Sequence, residues 1–94
     1  MEIRRGIKGR YHKVAVDCWF TASGRTIPRM IKYQDEEGCI HLLKELQVHQ
    51  SDRRYSRGFL VQRYDCSAIT GGVRRDFTLL YHPAENTWDM ALPE

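Results

Sequence analysis

Two apolar runs rich in aromatic residues, 59–66 and 73–82, flank a short connection that ends in Gly71 and Gly72. Runs that combine β-branched and aromatic residues on either side of a glycine pair are typical of a β-hairpin. This stretch, residues 58–82, constrains the fold most, because an isolated hairpin is not stable and needs further strands beside it. We therefore examine the rest of the chain for runs that complete a sheet.

Three other stretches supply such runs. Residues 12–21 alternate with period two, which places Val14, Val16, Cys18 and Phe20 on one face and Trp19 on the other. Residues 27–34 predict a second strand, and residues 87–92 predict a last one. Residues 39–49 suit either a strand or a helix; we favour a strand, because the turn glycine Gly38 leads directly into β-type residues. Residues 51–57 are polar and predict a loop.

These patterns predict an all-β protein with one domain over residues 12–94, preceded by a basic arm or edge strand over residues 1–11. Five to six strands in so short a chain favour a small antiparallel barrel or a strongly curled sheet. The predicted core consists of Val14, Val16, Phe20, Ile27, Ile31, Ile40, Leu42, Leu46, Phe59, Val61, Phe77, Leu79 and Trp88.

Composition limits the class of protein. The 94 residues are 41% hydrophobic and 29% charged, as expected of a folded domain rather than a disordered chain. The sequence contains neither a run of about 20 apolar residues nor an apolar segment after its basic start, so we expect a cytoplasmic protein. Three widely spaced cysteines, Cys18, Cys39 and Cys66, predict buried reduced thiols rather than a disulfide framework.

Four short motifs follow one another along the chain. The motifs are a V-x-C-x-F strand, an I-P strand, a G-x-x-x-x-R-Y-x-C strand and a final hairpin closed by tryptophan. In this sequence they are carried by Val16, Cys18, Phe20, Ile27, Pro28, Gly58, Arg63, Tyr64, Cys66 and Trp88. Over about residues 14–90 the chain resembles a group of small β-rich bacterial proteins with no assigned activity, and the resemblance implies a β fold, with no catalytic residue, cofactor or partner.

Catalytic and metal-binding patterns are weak in this sequence. Cys39 and His41 have the spacing of neighbours on one strand face, but the short spacings usual in zinc sites are missing. Ser23 lies in a turn and Ser51 lies near His49, yet neither matches a nucleophile motif. We therefore predict a protein that is not an enzyme and has no metal or cofactor.

Arginine and tyrosine cluster around the hairpin. Cations that follow a phosphate backbone, together with aromatic rings that stack on bases, are what proteins use to bind single-stranded nucleic acid. A small barrel that binds single-stranded nucleic acid is therefore one hypothesis. Its candidate residues are Arg53, Arg54, Tyr55, Arg57, Arg63, Tyr64, Arg74 and Arg75.

The leading hypothesis is a small non-catalytic interaction module that binds a protein partner. Trp19 points outward by phase, and with Met30 and Tyr33 it would form an apolar patch of the kind that marks partner surfaces. A sheet with a free edge strand could also pair with a second copy, so we expect either a monomer or an edge-paired homodimer, and no membrane association.

Overall fold

A computed structural model describes residues 11–91, which form one antiparallel sheet of seven strands and no helix. In chain order the strands are β1 (Tyr11–Phe20), β2 (Thr26–Gln34), β3 (Ile40–Leu43), β4 (Gln47–Ser56), β5 (Phe59–Thr70), β6 (Val73–His82) and β7 (Thr87–Ala91). The all-β prediction is confirmed. The predicted number of strands, five to six, is wrong, and the sheet is not closed into a barrel within these residues. The proposed arm lies almost wholly outside the described residues, and its last residue, Tyr11, begins β1.

The order of strands across the sheet is β3-β2-β1-β7-β6-β5-β4. β3 and β4 are therefore at opposite ends of this order, although only residues 44–46 join them. Seven strands in a flat sheet would place its two edges about 29 Å apart, whereas this connection spans at most about 14 Å. The sheet must therefore curl strongly and bring its two edges near each other.

β3 is too short to cover β2. The two strands pair only between residues 31–34 and residues 40–43. Beyond this ladder, the Leu46 amide donates one hydrogen bond to the Arg29 carbonyl at 3.2 Å, and Glu45 before it has a positive φ of 53°. Within the described residues, the start of β2 is consequently left without a strand on its outer side, in the part of the sheet that faces β4.

The concave face of the sheet holds the core. Phe77, Leu79 and Tyr81 on β6 lie beside Tyr64 and Cys66 on β5, and Ile31 closes the other side. Trp88 contacts two of the tyrosine rings, with centroid distances of 4.6 Å to Tyr81 and 5.7 Å to Tyr64. This aromatic group connects β5, β6 and β7 on the concave face of the sheet.

Two stretches differ from their predicted structure. Residues 51–57, predicted as a loop, mostly belong to β4, a ten-residue edge strand in which every residue is exposed. An exposed edge strand needs no apolar alternation, because its hydrogen bonds to β5 are sufficient to define it. Residues 39–49 are not one strand but the end of a turn, β3, the connection and the start of β4, and the helical alternative is wrong.

The β4–β5 hairpin turns through Arg57 and Gly58, whose φ angles are 56° and 86°. Two positive φ angles in a two-residue loop are the pattern of a type I′ turn, in which asparagine followed by glycine is preferred. We expect Arg57→Asn to raise the free energy of unfolding by about 0.5–1 kcal/mol, because asparagine tolerates this conformation better than arginine. Urea denaturation measures the change.

The matched control is Gly58→Ala in the same turn. Alanine is strained at positive φ, so this variant is expected to be less stable by about 1 kcal/mol. A loss of stability in Arg57→Asn would contradict the prediction and would mean that the arginine side chain stabilises the hairpin.

Candidate functional site

A groove of about 370 Å³ opens where the start of β2 faces β4 and β5. Its walls combine one turn, two strand edges and a few apolar side chains. The lining residues are Ser23, Gly24, Arg25, Thr26, Ile27, Pro28, Val48, Ser51, Asp52, Arg53, Gln62 and Tyr64. The volume lies at the lower end of the range usual for small-molecule sites.

The β1–β2 turn holds one arginine of the groove in place. The Arg25 amide donates to the Thr21 hydroxyl at 3.0 Å, and the Thr21 amide donates to the Arg25 carbonyl at 2.8 Å. The Thr21 hydroxyl also lies 3.1 Å from that of Ser23. These bonds fix the backbone on both sides of the turn. The backbone of Arg25, from which its side chain extends, is therefore held at the groove.

The charges around the groove are unbalanced. Arg25 and Arg53 make no ion pair with any residue in the described range. The one acidic residue of the lining, Asp52, lies 3.6 Å from the guanidinium of Arg54. The groove therefore carries an excess of positive charge that no ion pair within residues 11–91 neutralises.

The floor of the groove is a fixed hydrogen-bonded group. The Tyr64 hydroxyl donates to the side-chain carbonyl of Gln62 at 2.7 Å, and the Thr26 side chain is hydrogen-bonded to the same tyrosine. Burial raises the pKa of Tyr64, outweighing the lowering effect of the Thr26 hydrogen bond. The phenol is therefore neutral at physiological pH and offers a polar but uncharged surface.

The outer edge of β4 adjoins this groove. β4 pairs with β5 along its whole length, with one register shift between Val48 and Gln50. On its other side, β4 has no partner strand among residues 11–91. The backbone N–H and C=O groups that point away from β5 therefore form no ladder with these residues, and such an edge can pair with another chain.

The eight residues predicted to bind nucleic acid do not share one face of the sheet. Arg53 and Tyr55 on β4 share a face with Tyr64, whereas Arg54 and Arg63 are on the opposite face. Arg74 is also on that opposite face, Arg57 lies in the hairpin turn, and Arg75 lies near the far end of β6. The eight residues therefore do not form one continuous surface.

These eight residues also differ in whether their side chains are available to a ligand. Arg63 is 3.2 Å from Asp65 and Arg74 is 2.9 Å from Asp76, so both of these charges are compensated. Tyr64 is only 6% exposed, whereas Tyr55 is 72% exposed. A base could stack on Tyr55 but not on Tyr64.

The three residues predicted to bind a partner are not all together. Trp19 pairs with Ile27 and Met30 pairs with Asp17, which places Trp19 and Met30 on the convex face. The Arg29 guanidinium lies 4.0 Å from the centre of the Trp19 ring, a cation–π contact. Tyr33 is on the concave face, packed against the core.

Sequence reasoning missed a serine–histidine pair on the convex face. The His49 imidazole lies 2.7 Å from the Ser67 hydroxyl and 3.4 Å from the guanidinium of Arg74. Ser67 is only 5% exposed, so its hydroxyl is closed to a substrate. No sequence signal indicates this contact, because it depends on the register of β4 against β5.

The three cysteines are free, and they lie in different surroundings. Cys66 is buried and Cys18 is half-buried, but Cys39 is exposed, so the prediction that all three thiols are buried is wrong for Cys39. Among residues 11–91, no three histidine, cysteine, aspartate or glutamate side chains are grouped so that they could hold a metal ion.

Comparison of the chain with protein-family models, curated proteins and solved structures gives no match. No helix in the part of the chain that the structure describes is long and apolar enough to cross a membrane. Function must therefore be inferred from the groove, the free edge of β4 and the exposed convex face.

Proposed function

We propose that this protein is a non-catalytic interaction module that binds an extended segment of a protein partner along the free edge of β4. The observation that carries the proposal is the ten-residue strand itself, which is exposed throughout and, among residues 11–91, is paired on one side only. An added strand gains main-chain hydrogen bonds from such an edge, and alternate side chains then give specificity.

The features of β4 disfavour pairing with a second copy more than pairing with a peptide. Natural edge strands avoid self-association by carrying charged residues and bulges, and β4 has both: Asp52, Arg53 and Arg54, and the irregularity after Val48. An edge-paired homodimer is accordingly the weaker version of the proposal. Sedimentation of the protein at increasing concentration measures it directly.

A displayed library of random peptides tests the main proposal. We expect selected peptides to lose binding when alternate backbone nitrogens are methylated, and to keep it when the intervening nitrogens are methylated, because only alternate amides face β4. Hydrogen exchange of the β4 amides should slow in the complex. A library that yields no binder, or binders that are indifferent to every methylation, would contradict strand addition.

The convex face provides the control. Trp19 and Met30 are the alternative partner contacts there, because an exposed tryptophan beside other apolar side chains is typical of a docking surface. Binding at β4 predicts that Trp19→Ala leaves the affinity of the selected peptides unchanged. Loss of binding in Trp19→Ala, with the methylation pattern absent, would move the proposed interface to the convex face.

Binding of single-stranded nucleic acid is the second candidate. It is favoured by the exposed Tyr55 ring on a hairpin that also carries Arg53 and Arg57. Fluorescence anisotropy with labelled single-stranded DNA and RNA at about 50 and 200 mM salt tests it, since phosphate contacts weaken steeply over this range. Saturable, salt-sensitive binding that is lost in Arg53→Ala would place nucleic acid first. A cytoplasmic location in a bacterial cell belongs to either version of the proposal.

A further inference from the structure

We infer that the groove beside β4 seats a carboxylate of the bound segment between Arg25 and Arg53, so that the partner recognised by this protein is an acidic peptide. This inference rests on the proposed function, because it concerns the side chains of a segment already paired with β4. Its basis is the groove lining, in which two arginines without an ion-pair partner among residues 11–91 lie beside hydroxyl and amide groups.

The register of the sheet decides which side chains of the segment would enter the groove. On β4, Ser51 and Arg53 share the concave face with Tyr64 and Gln62, and all four residues line the groove. Residues directly opposite each other on neighbouring strands project to the same face. The side chains of an added strand that lie opposite Ser51 and Arg53 therefore point toward the groove.

The chemistry of the lining selects a carboxylate for that position. A guanidinium group presents paired N–H donors that match the two oxygens of a carboxylate. Asp52 is engaged by Arg54, so it leaves the charges of Arg25 and Arg53 uncompensated. The hydroxyl of Ser51 is a further donor within the same lining. A basic side chain of the partner would meet unbalanced positive charge here, and an apolar one would leave these donors without a partner.

Two arginines on the convex face, unlike the two arginines of the groove, have their charge neutralised by an aspartate. Arg63 and Arg74 each have an aspartate two residues along the same strand, at 3.2 Å and 2.9 Å. Arg53 has Tyr55 at the corresponding position and Ser51 on its other side. The strand pattern that neutralises the convex face is therefore missing at the groove, and a ligand carboxylate would supply the absent charge.

The test uses a blocked ten-residue peptide of alternating valine and threonine with one central glutamate, and a counterpart with glutamine in its place. Calorimetry of both peptides is carried out with the full chain and with Arg25→Gln, Arg53→Gln and the control Arg75→Gln. Arg75 is exposed and lies near the far end of β6, so its removal changes the net charge without touching the groove.

We expect the glutamate peptide to bind about tenfold more tightly than the glutamine peptide. Arg25→Gln and Arg53→Gln should each remove most of that preference, and Arg75→Gln should leave it unchanged. Equal affinities for the two peptides, or an equal effect of all three substitutions, would overturn the inference. Peptides that follow the methylation pattern yet show no glutamate preference would overturn it while leaving strand addition in place.

Free glutarate, a small dicarboxylate, tests whether the groove binds a carboxylate that does not belong to a strand paired with β4. Binding of glutarate that is lost in Arg53→Gln would support carboxylate recognition by the groove without any strand on β4. If the peptides then fail the methylation test, the proposed strand addition is contradicted while the carboxylate site stands. Glutarate binding that survives both groove substitutions would contradict the site itself.

Discussion

Leu79→Ala is expected to lower the free energy of unfolding by about 3–4 kcal/mol. Leu79 is 0% exposed, and it lies in register between Tyr64 on β5 and Met90 on β7. Removing a fully buried leucine side chain loses its transfer free energy and leaves a cavity, because the surrounding sheet relaxes only in part. Chemical denaturation followed by tryptophan fluorescence measures the difference.

The size of this effect matters because the protein is small. A chain of this length has a total stability of about 5–14 kcal/mol, so one substitution in the core removes a large share of it. Ile69→Ala is the matched control: Ile69 is also a large aliphatic residue on the central hairpin, but it is 68% exposed. We expect it to change stability by no more than about 0.5 kcal/mol. Equal losses in the two variants would mean that the assigned inner and outer faces are wrong.

Period-two alternation predicts the structure best where a strand has one buried face and one solvent-exposed face. The alternation of β6 predicts that Phe77 and Leu79 point inward, and both are buried. The alternation of β1 likewise predicts Val14 and Val16 against the core, where they are partly buried, but it is wrong for Phe20 in the same phase, which is 65% exposed. In these strands the free energy of burying apolar side chains sets the register, so the pattern is visible in the sequence.

The same reasoning failed where both faces of a strand carry apolar residues. β5 contains Phe59 and Val61 in one phase and Tyr64 and Cys66 in the other, and the first pair was predicted to be inward. The structure buries Tyr64 and Cys66 and leaves Phe59 63% exposed. The phase is decided by contacts with Trp88 and Tyr81 on other strands, which local alternation does not contain.

Only one of the two arginines of the candidate site can be predicted from the sequence. The run of arginines after Asp52 points to Arg53, whereas Arg25 belongs to an ordinary turn that carries no such signal. The two residues line one groove only because the sheet curls and leaves the start of β2 facing β4. That curl follows from the short β3 and the tight connection after it, and neither has a distinctive composition.

Because of Cys66, we expect the free energy of unfolding to decrease with rising pH in the alkaline range. Burial raises the pKa of the Cys66 thiol from its ordinary value of 9.0 to about 12, and the charge of Asp65 adds to the rise. Above pH 9 the unfolded chain therefore releases a proton that the folded chain retains. The contribution of this thiol to stability is complete below pH 9 and is lost as the pH rises toward 12. Between pH 9 and 11 we expect a loss of about 2 kcal/mol from this group.

The difference between wild type and Cys66→Ala isolates this contribution. Each protein is unfolded in urea at several pH values, and the free energy of unfolding of the variant should fall less steeply from pH 9 upward. The pKa values of Tyr11 and Tyr64 are also raised by burial, but from 10.0, so these residues affect wild type and variant alike at higher pH. Cys39→Ala, at an exposed thiol, should retain the wild-type slope. Parallel curves for wild type and Cys66→Ala would show that Cys66 ionises without unfolding the sheet, and would contradict its burial beside Phe77 in the core.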